Sequence, residues 1–124
     1  MSSVSAPQPR LCHIKKFSHF DGYGFVLHSE KEKGIYRIGK IDRGSPSEAG
    51  GLQSDDRILE INGVNLSDKN HSQVVQRIKA GRDETRLLVV DRKCKQYHDE
   101  HSIVITSSLP YVLHLSSEIK ESIF

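Results

Sequence analysis

The chain has 124 residues, of which 35 % are hydrophobic and 27 % charged, a balance typical of one folded domain with a modest core. Its net charge is +2, from 18 Lys and Arg against 16 Asp and Glu, with both signs interleaved, so charge gives no reason to expect nucleic-acid binding. No apolar run approaches the roughly 18 residues that a membrane-spanning helix needs.

The first part of the chain predicts three strands. Residues 1–8 are rich in Ser and Pro and are expected to form a flexible lead-in. Apolar and polar residues alternate over Leu11–Lys15, which predicts a half-buried strand. Phe25–His28 and Ile35–Ile41 are rich in β-branched and aromatic residues and predict a second and a third strand.

A glycine loop, Gly22-Tyr23-Gly24, lies between the first two of these strands. Glycine tolerates positive φ, so the loop is expected to turn sharply and to present backbone N–H groups, an arrangement that binds anions. If the following strand is an open sheet edge, such a loop could hold the terminal carboxylate of a peptide. An ordinary glycine-rich hairpin turn is the alternative that these residues leave open.

A short helix and a hairpin are predicted next. Ser45 suits the N-cap, Pro46 the first helical position and Glu48 the capping-box position of the helix, which glycine ends. Arg57–Ile61 predicts a further strand. Asn62-Gly63, directly after it, is a strong signal for a two-residue hairpin turn.

From about residue 70 the pattern changes to helical spacing, with a glycine just beyond it as a candidate C-cap: Val74, Val75, Ile78 and Gly81. Thr85–Val90 predicts a closing strand. The sequence therefore predicts a mainly β, α+β fold with two helices, a small, partly open antiparallel barrel or sandwich of five to six strands.

These motifs, in this order and spacing, resemble a PDZ domain over residues 9–91, and within that family they are most similar to NHERF-type epithelial scaffolds. The motifs that carry the resemblance are Arg10-Leu11-Cys12-His13, Tyr23-Gly24-Phe25, Gly44-Ser45-Pro46, Gly51-Leu52, the run from Asp56 to Gly63, and His71 ahead of Val75 and Ile78. The sequence departs from the family pattern at Gly50, where a better helix former is usual, and at Asp55, where glycine is common. Gly50 is expected to weaken the short helix by about 1 kcal/mol relative to Ala, and Asp55 to carry strain if its turn needs positive φ.

The resemblance implies that the C-terminal peptide of a partner adds as an antiparallel strand to Phe25–His28. It implies that the Tyr23-Gly24-Phe25 N–H groups hold the peptide carboxylate and that His71 bonds a Ser or Thr two residues before its end, the family's class I preference. The peptide-binding residues implied are Gly22, Tyr23, Gly24, Phe25, Val26, Leu27, His28, Lys40, His71, Val75 and Ile78. The partners implied are membrane transporters, receptors and signalling proteins, which would place the protein in the cytoplasm and, through them, at the plasma membrane.

No residue pattern predicts catalysis, a cofactor or a metal. Nucleophile, dinucleotide and phosphate-loop motifs are absent from the sequence. Cys94, His98 and His101 have ligand-like spacing, but a structural zinc site needs four ligands. Cys12 and Cys94 are expected to be free thiols in a reducing compartment, with a bridge between them as the alternative.

Two other functions stay open at this point. One is a lipid-binding PDZ domain, for which the cue is an interrupted basic cluster: Lys31, Lys33, Arg37, Lys40 and Arg43. The other is the regulatory PDZ-like domain of a larger enzyme.

Residues 92–117 form a predicted C-terminal extension, and residues 118–124 a tail. Ser102–Thr106 and Tyr111–Leu115 are β-like and predict an appended strand or a segment packed over the domain. The last four residues, Glu121-Ser122-Ile123-Phe124, have the pattern of a class I PDZ ligand. We expect this tail to dock into the groove of its own copy or of a neighbouring one, whether the terminus is native or appended.

Overall fold

The computed structural model describes residues 6–118, which are built around a seven-stranded sheet. The elements in chain order are β1 (Arg10–Lys15), β2 (Phe25–Glu30), a 3-10 turn (Lys31–Lys33), β3 (Ile35–Ile41), α1 (Pro46–Ala49), β4 (Arg57–Ile61), β5 (Val64–Asn65), α2 (His71–Ala80), β6 (Glu84–Val90), α3 (Arg92–Glu100) and β7 (Leu113–Ser116). The strand order is β2-β3-β4-β6-β1-β7, with β5 paired to β4. The predicted mainly β, α+β class is confirmed.

The sheet has β2 at one edge and β7 at the other. All pairs are antiparallel except β1 with β7, which run parallel. A bulge between Phe25 and Leu27 interrupts the register of β2 against β3. Among residues 6–118, β2 has a neighbouring strand on one side only, so its other side is available for pairing with a further strand.

Two apolar clusters cover the sheet. The larger one contains residues from β1, β3, β4, β6 and α2 and two from loops, Leu52 and Leu66: Cys12, Ile14, Tyr36, Ile38, Leu52, Ile58, Ile61, Leu66, Val74, Ile78, Leu87 and Val89. The smaller one joins β6 to the C-terminal segment: Leu88, Val90, Cys94, Ile105 and Val112. The first cluster therefore fixes α2 against the sheet, and the second fixes residues 92–117 against it.

The caps and turns follow the sequence signals with one exception. The Ser45 hydroxyl accepts a hydrogen bond from the Glu48 N–H at 3.2 Å, as predicted for the N-cap. The capping box is not formed, because Glu48 accepts from the Gly44 N–H at 2.9 Å and the N-cap N–H of Ser45 donates to the Asp42 carbonyl at 3.3 Å. Asn62 and Gly63 both have positive φ, 50° and 81°, as a hairpin turn between β4 and β5 requires.

The C-terminal segment differs from its prediction. Arg92–Glu100 is a third helix, α3, which was not predicted because its surface is polar and only Cys94 and His98 are buried. Ser102–Thr106 forms no strand, and the appended strand begins at Leu113. Both stretches are apolar because Ile105 and Val112 fill the smaller cluster, and alternation alone does not distinguish such anchors from a strand.

Both cysteines are buried and free. Burial raises the pKa of the Cys12 thiol to about 12 and that of Cys94 to about 11. Among residues 6–118, no helix has the length and apolar character needed to cross a membrane.

Candidate functional site

A groove lies between the edge strand β2 and helix α2. Side chains two apart on a strand share one face, and those three or four apart on a helix do the same. Phe25 and Leu27 from β2 and Val75 and Ile78 from α2 line an open pocket of about 500 Å³. Val26, also predicted to bind the peptide, faces away from the pocket: its side chain is 57 % exposed and does not line it. His28 and Lys40 are exposed and also lie outside it.

The glycine loop closes one end of the groove. Gly22 and Gly24 both have positive φ, 78° and 84°. At Gly24 there is also no room for a side chain, because an added Cβ would lie 2.1 Å from the Cβ of Ser45. The loop can therefore adopt this path, against the start of α1, only with glycine at position 24.

The loop carbonyls are bonded on the side of α1. Ser47 donates to the Tyr23 carbonyl through its N–H at 3.0 Å and its hydroxyl at 2.7 Å. The Asp42 N–H donates to the Gly24 carbonyl at 2.8 Å. Across residues 6–118, the N–H groups of Tyr23 and Gly24 have no protein acceptor, so they are the polar groups that the loop can offer a ligand.

Three cations surround the same end of the pocket: Lys16, Lys79 and Arg82. The ammonium of Lys16 lies 5.2 Å from the centre of the Tyr23 ring, within cation–π range. Burial, followed by the charges of Asp83 and Glu84, raises the pKa of Tyr23 above its usual value. These cations were not predicted, because Lys16 lies after β1, far along the chain from the other two at the end of α2. Lys79 could have been predicted near the pocket, because it follows the selected Ile78 directly in the sequence.

At the other end of the groove, His71 is the first residue of α2. The N-cap Asn70 and Gln73 bond each other's backbone N–H groups at 2.9 Å, which fixes the start of the helix. The Nδ1 atom of His71 is hydrogen-bonded to the Ser29 hydroxyl, so its Nε2 atom is the ring nitrogen left for a ligand. Ser29 was not among the residues predicted to bind the peptide.

The residues considered for a metal site have other partners. His98 donates from Nδ1 to the Cys94 carbonyl at 2.7 Å and accepts at Nε2 from the Tyr111 hydroxyl at 2.7 Å. His101 donates from Nδ1 to the Tyr97 carbonyl at 2.8 Å. Among the described residues, no group of three or more His, Cys, Asp or Glu side chains could hold a metal ion.

The predicted tail ligand, Glu121-Ser122-Ile123-Phe124, lies outside the described residues. The last described residue, Glu118, has its carboxylate 3.5 Å from the Lys15 ammonium. Lys15 is the last residue of β1, so the described chain ends beside the C-terminal end of that strand.

Known proteins with similar sequences share one domain type. The family model described as "PDZ domain" matches residues 14–90. The chain is 43 % identical over 114 residues to the Na(+)/H(+) exchange regulatory cofactor NHE-RF1 of Gallus gallus, which covers 92 % of this chain and 32 % of that protein. It is 41 % identical over 109 residues to NHE-RF2 of Oryctolagus cuniculus, covering 88 % of this chain and 34 % of the relative.

A more distant relative is the Na(+)/H(+) exchange regulatory cofactor-like protein nrfl-1 of Caenorhabditis elegans, 38 % identical over 114 residues, 92 % of this chain and 24 % of the relative. The chain thus spans about a quarter to a third of the length of these proteins. Among solved structures, the PDZ domain from choanoflagellate SHANK1 bound to a GIRK3 peptide is similar, with a TM-score of 0.60 and 28 % identity over 68 % of this chain and 92 % of that one.

Proposed function

The chain belongs to the PDZ family, and we propose that it is a non-catalytic module that binds the C-terminal segment of a partner by adding it as a strand to β2. One observation carries the proposal: an open strand edge and an apolar groove end at a loop with unbonded N–H groups. A strand that runs antiparallel to β2 would bring its C-terminus to that loop. The similar SHANK1 domain, which was solved with a peptide, supports this mode of binding.

The carboxylate of the partner would be held by the N–H groups of Tyr23-Gly24-Phe25. Hydrogen bonds to a charged group contribute about 1.5–3 kcal/mol each, more than bonds between neutral groups. Lys16 and Arg82, which line the same pocket, add positive charge on this side. An amidated peptide would lose both contributions, so capture of the carboxylate is the central test of the proposal.

The last side chain of the partner would fill the pocket between Phe25, Leu27, Val75 and Ile78. Burial of a Leu- or Phe-sized group there contributes about 1.5–3 kcal/mol. His71 would bond the hydroxyl of a Ser or Thr two residues before the end, which contributes about 1 kcal/mol and acts mainly on specificity. Because ordering the peptide opposes these terms, we expect micromolar affinity, about −8 kcal/mol.

The partners we propose are membrane transporters, receptors and signalling proteins with suitable C-terminal tails. The named relatives are regulatory cofactors of Na(+)/H(+) exchange, which is consistent with a scaffold for membrane proteins. Such a scaffold would be cytoplasmic and would reach the membrane through its partners.

The test is a titration of the protein lacking residues 121–124 with a labelled peptide that ends in Glu-Ser-Ile-Phe, as free acid and as amide. We expect micromolar binding of the free acid, loss on amidation and weakening by His71→Ala. His114→Ala, at an exposed position on β7, is the matched control and is expected to bind normally. Equal binding of acid and amide, or binding of neither, would refute carboxylate capture.

We also propose that the tail of the 124-residue chain docks into the groove of a second copy. Six residues follow Glu118 and can span at most about 22 Å. Glu118 lies beside Lys15, the last residue of β1, so only these six residues connect that point to the groove of the same copy. Docking within one copy would therefore have to fit both the linker and the docked strand into that span, a limit that a second copy does not impose.

Sedimentation velocity of the 124-residue chain tests this proposal. We expect association that rises with concentration in the micromolar range and disappears on deletion of residues 121–124. A monomer at all concentrations that nevertheless binds the free peptide would refute docking between copies.

A further inference from the structure

One row of side chains on β2 and one on α2 face each other across the groove, and each row ends in a polar residue. On β2, Ser29 continues the alternation of Phe25 and Leu27, and on α2, His71 continues the helical spacing of Val75 and Ile78. The first two positions of each row are apolar and line the pocket. The third positions, Ser29 and His71, contact each other through the hydroxyl Oγ and ring Nδ1.

This contact determines what the His71 ring can do. In the described part of the chain, the Ser29 hydroxyl is the only hydrogen-bond partner of the ring. His71 is exposed at the start of its helix, so this bond selects one orientation of the ring among those its rotamers allow. A hydroxyl can either donate or accept, so it supports both neutral tautomers of the ring and leaves Nε2 either to donate to or to accept from a ligand hydroxyl.

We propose that Ser29 is a positioning residue that sets the specificity of the groove for a hydroxyl two residues before the partner's end. Ser29 holds Nδ1, so the ring presents Nε2 to the ligand at a lower entropic cost on binding than a ring without this bond. The inference rests on the proposed function, since it assigns a role within the same groove. It predicts that loss of the Ser29 hydroxyl lowers discrimination at that peptide position and leaves carboxylate capture intact.

The experiment compares two peptides, ending in Glu-Ser-Ile-Phe and Glu-Val-Ile-Phe, on the protein lacking residues 121–124. For the unchanged groove we expect the serine peptide to bind about fivefold more tightly, the value of one neutral hydrogen bond. Ser29→Ala is expected to lower this ratio to about 2, and Ser29→Thr, which keeps the hydroxyl and suits a strand, to preserve it. Ser72→Ala, which removes an exposed hydroxyl next to His71 on α2, is the matched control and is expected to leave the ratio unchanged.

A second readout follows the ring itself. The ¹⁵N shifts of Nδ1 and Nε2 of His71 in the peptide-free protein are expected to change in Ser29→Ala and to return in Ser29→Thr. A merely structural role for Ser29 would leave these shifts unaltered.

The outcomes separate this inference from the proposed function. If the unchanged groove binds neither peptide, or binds acid and amide alike, the proposed function fails. If it binds the acid selectively and Ser29→Ala keeps the fivefold ratio, or weakens both peptides equally, or leaves the ¹⁵N shifts unchanged, the positioning role of Ser29 is overturned and the groove function stands.

Discussion

Gly24→Ala, compared with Gly22→Ala, tests whether the glycine loop is fixed by packing as well as by backbone conformation. Both residues lie in the same loop with nearly the same φ, 84° and 78°. An added Cβ at position 22 meets nothing within 4 Å, whereas at position 24 it would lie 2.1 Å from the Cβ of Ser45. Ser45 is buried and caps α1, so it has little freedom to move.

The expected losses in the free energy of unfolding follow from the cost of positive φ and from the cost of overpacking. A non-glycine residue in the left-handed region costs about 1–2 kcal/mol, which both variants should lose from the free energy of unfolding. Overpacking costs about a further 1–3 kcal/mol, and only Gly24→Ala should show it. Urea denaturation measures both values, and titration with the Glu-Ser-Ile-Phe peptide should show that Gly24→Ala alone loses binding.

Equal destabilisation by the two substitutions would refute this reasoning, because it would mean that the loop moves away from Ser45 without cost. Normal peptide affinity in a destabilised Gly24→Ala variant would separate the packing of the loop from its proposed role in carboxylate capture.

Three further predictions concern buried groups. Arg10→Ala should lower the free energy of unfolding by about 3–5 kcal/mol in urea, because it leaves Asp56, only 1 % exposed, without its ion-pair partner; a loss below about 1 kcal/mol would contradict this. Tyr111→Phe should cost about 1–3 kcal/mol in the same assay, since the fully buried His98 loses its hydrogen bond at Nε2, and an unchanged midpoint would exclude that cause. Burial raises the pKa of the Cys94 thiol from 9.0 to about 11. The neutral buried thiol therefore adds stability below pH 9, and this stability is lost as the pH rises toward 11. Urea midpoints of the unchanged protein should fall between pH 9 and pH 11, and those of Cys94→Ala should fall less steeply.

Local signals predicted the regular part of the fold well. Strand alternation, the N-cap of α1 and the Asn62-Gly63 turn depend on neighbours within a few positions, and the structure has each of them. The pairing of β7 with β1 joins residues about 100 positions apart and has no local signal. Helix α3 was missed for a related reason, since its two buried residues, Cys94 and His98, contact segments that lie elsewhere in the chain.

The candidate site divides in the same way. Tyr23, Phe25, Leu27, Val75 and Ile78, selected through the family resemblance, all line one pocket, and their role in binding stays a prediction. The surrounding cations were missed because two segments far apart in the chain bring them together: Lys16 after β1, and Lys79 and Arg82 at the end of α2. Ser29 was within reach of the sequence, because it follows Phe25 and Leu27 at strand spacing.

The two departures from the family pattern lie where the C-terminal segment packs. An added Cβ at Gly50 would lie 2.2 Å from Cδ1 of the buried Ile14 and 3.5 Å from Cβ of Ser117. Gly50 is the C-cap of α1 and does not lie inside the helix. The expectation that Gly50 weakens this helix by about 1 kcal/mol relative to Ala is therefore wrong, because that value applies to helix interiors. Asp55 has a φ of 75°, and its carboxylate accepts two hydrogen bonds from Arg92, at 2.5 and 3.0 Å.

A double-mutant cycle with Asp55→Gly and Arg92→Ala tests whether Asp55 is retained for its contact with α3. The hydrogen bond from Arg92, the largest influence, lowers the pKa of Asp55, so this contact adds stability above the ordinary value of 3.8 and loses it as pH falls. With Arg92 absent, Asp55→Gly should raise the urea midpoint at pH 7, because glycine relieves the positive φ. With Arg92 present, the gain should shrink or reverse at pH 7 and reappear near pH 3. The same gain in both backgrounds at both pH values would show that the contact contributes nothing, and that Asp55 only tolerates a turn that glycine would serve better.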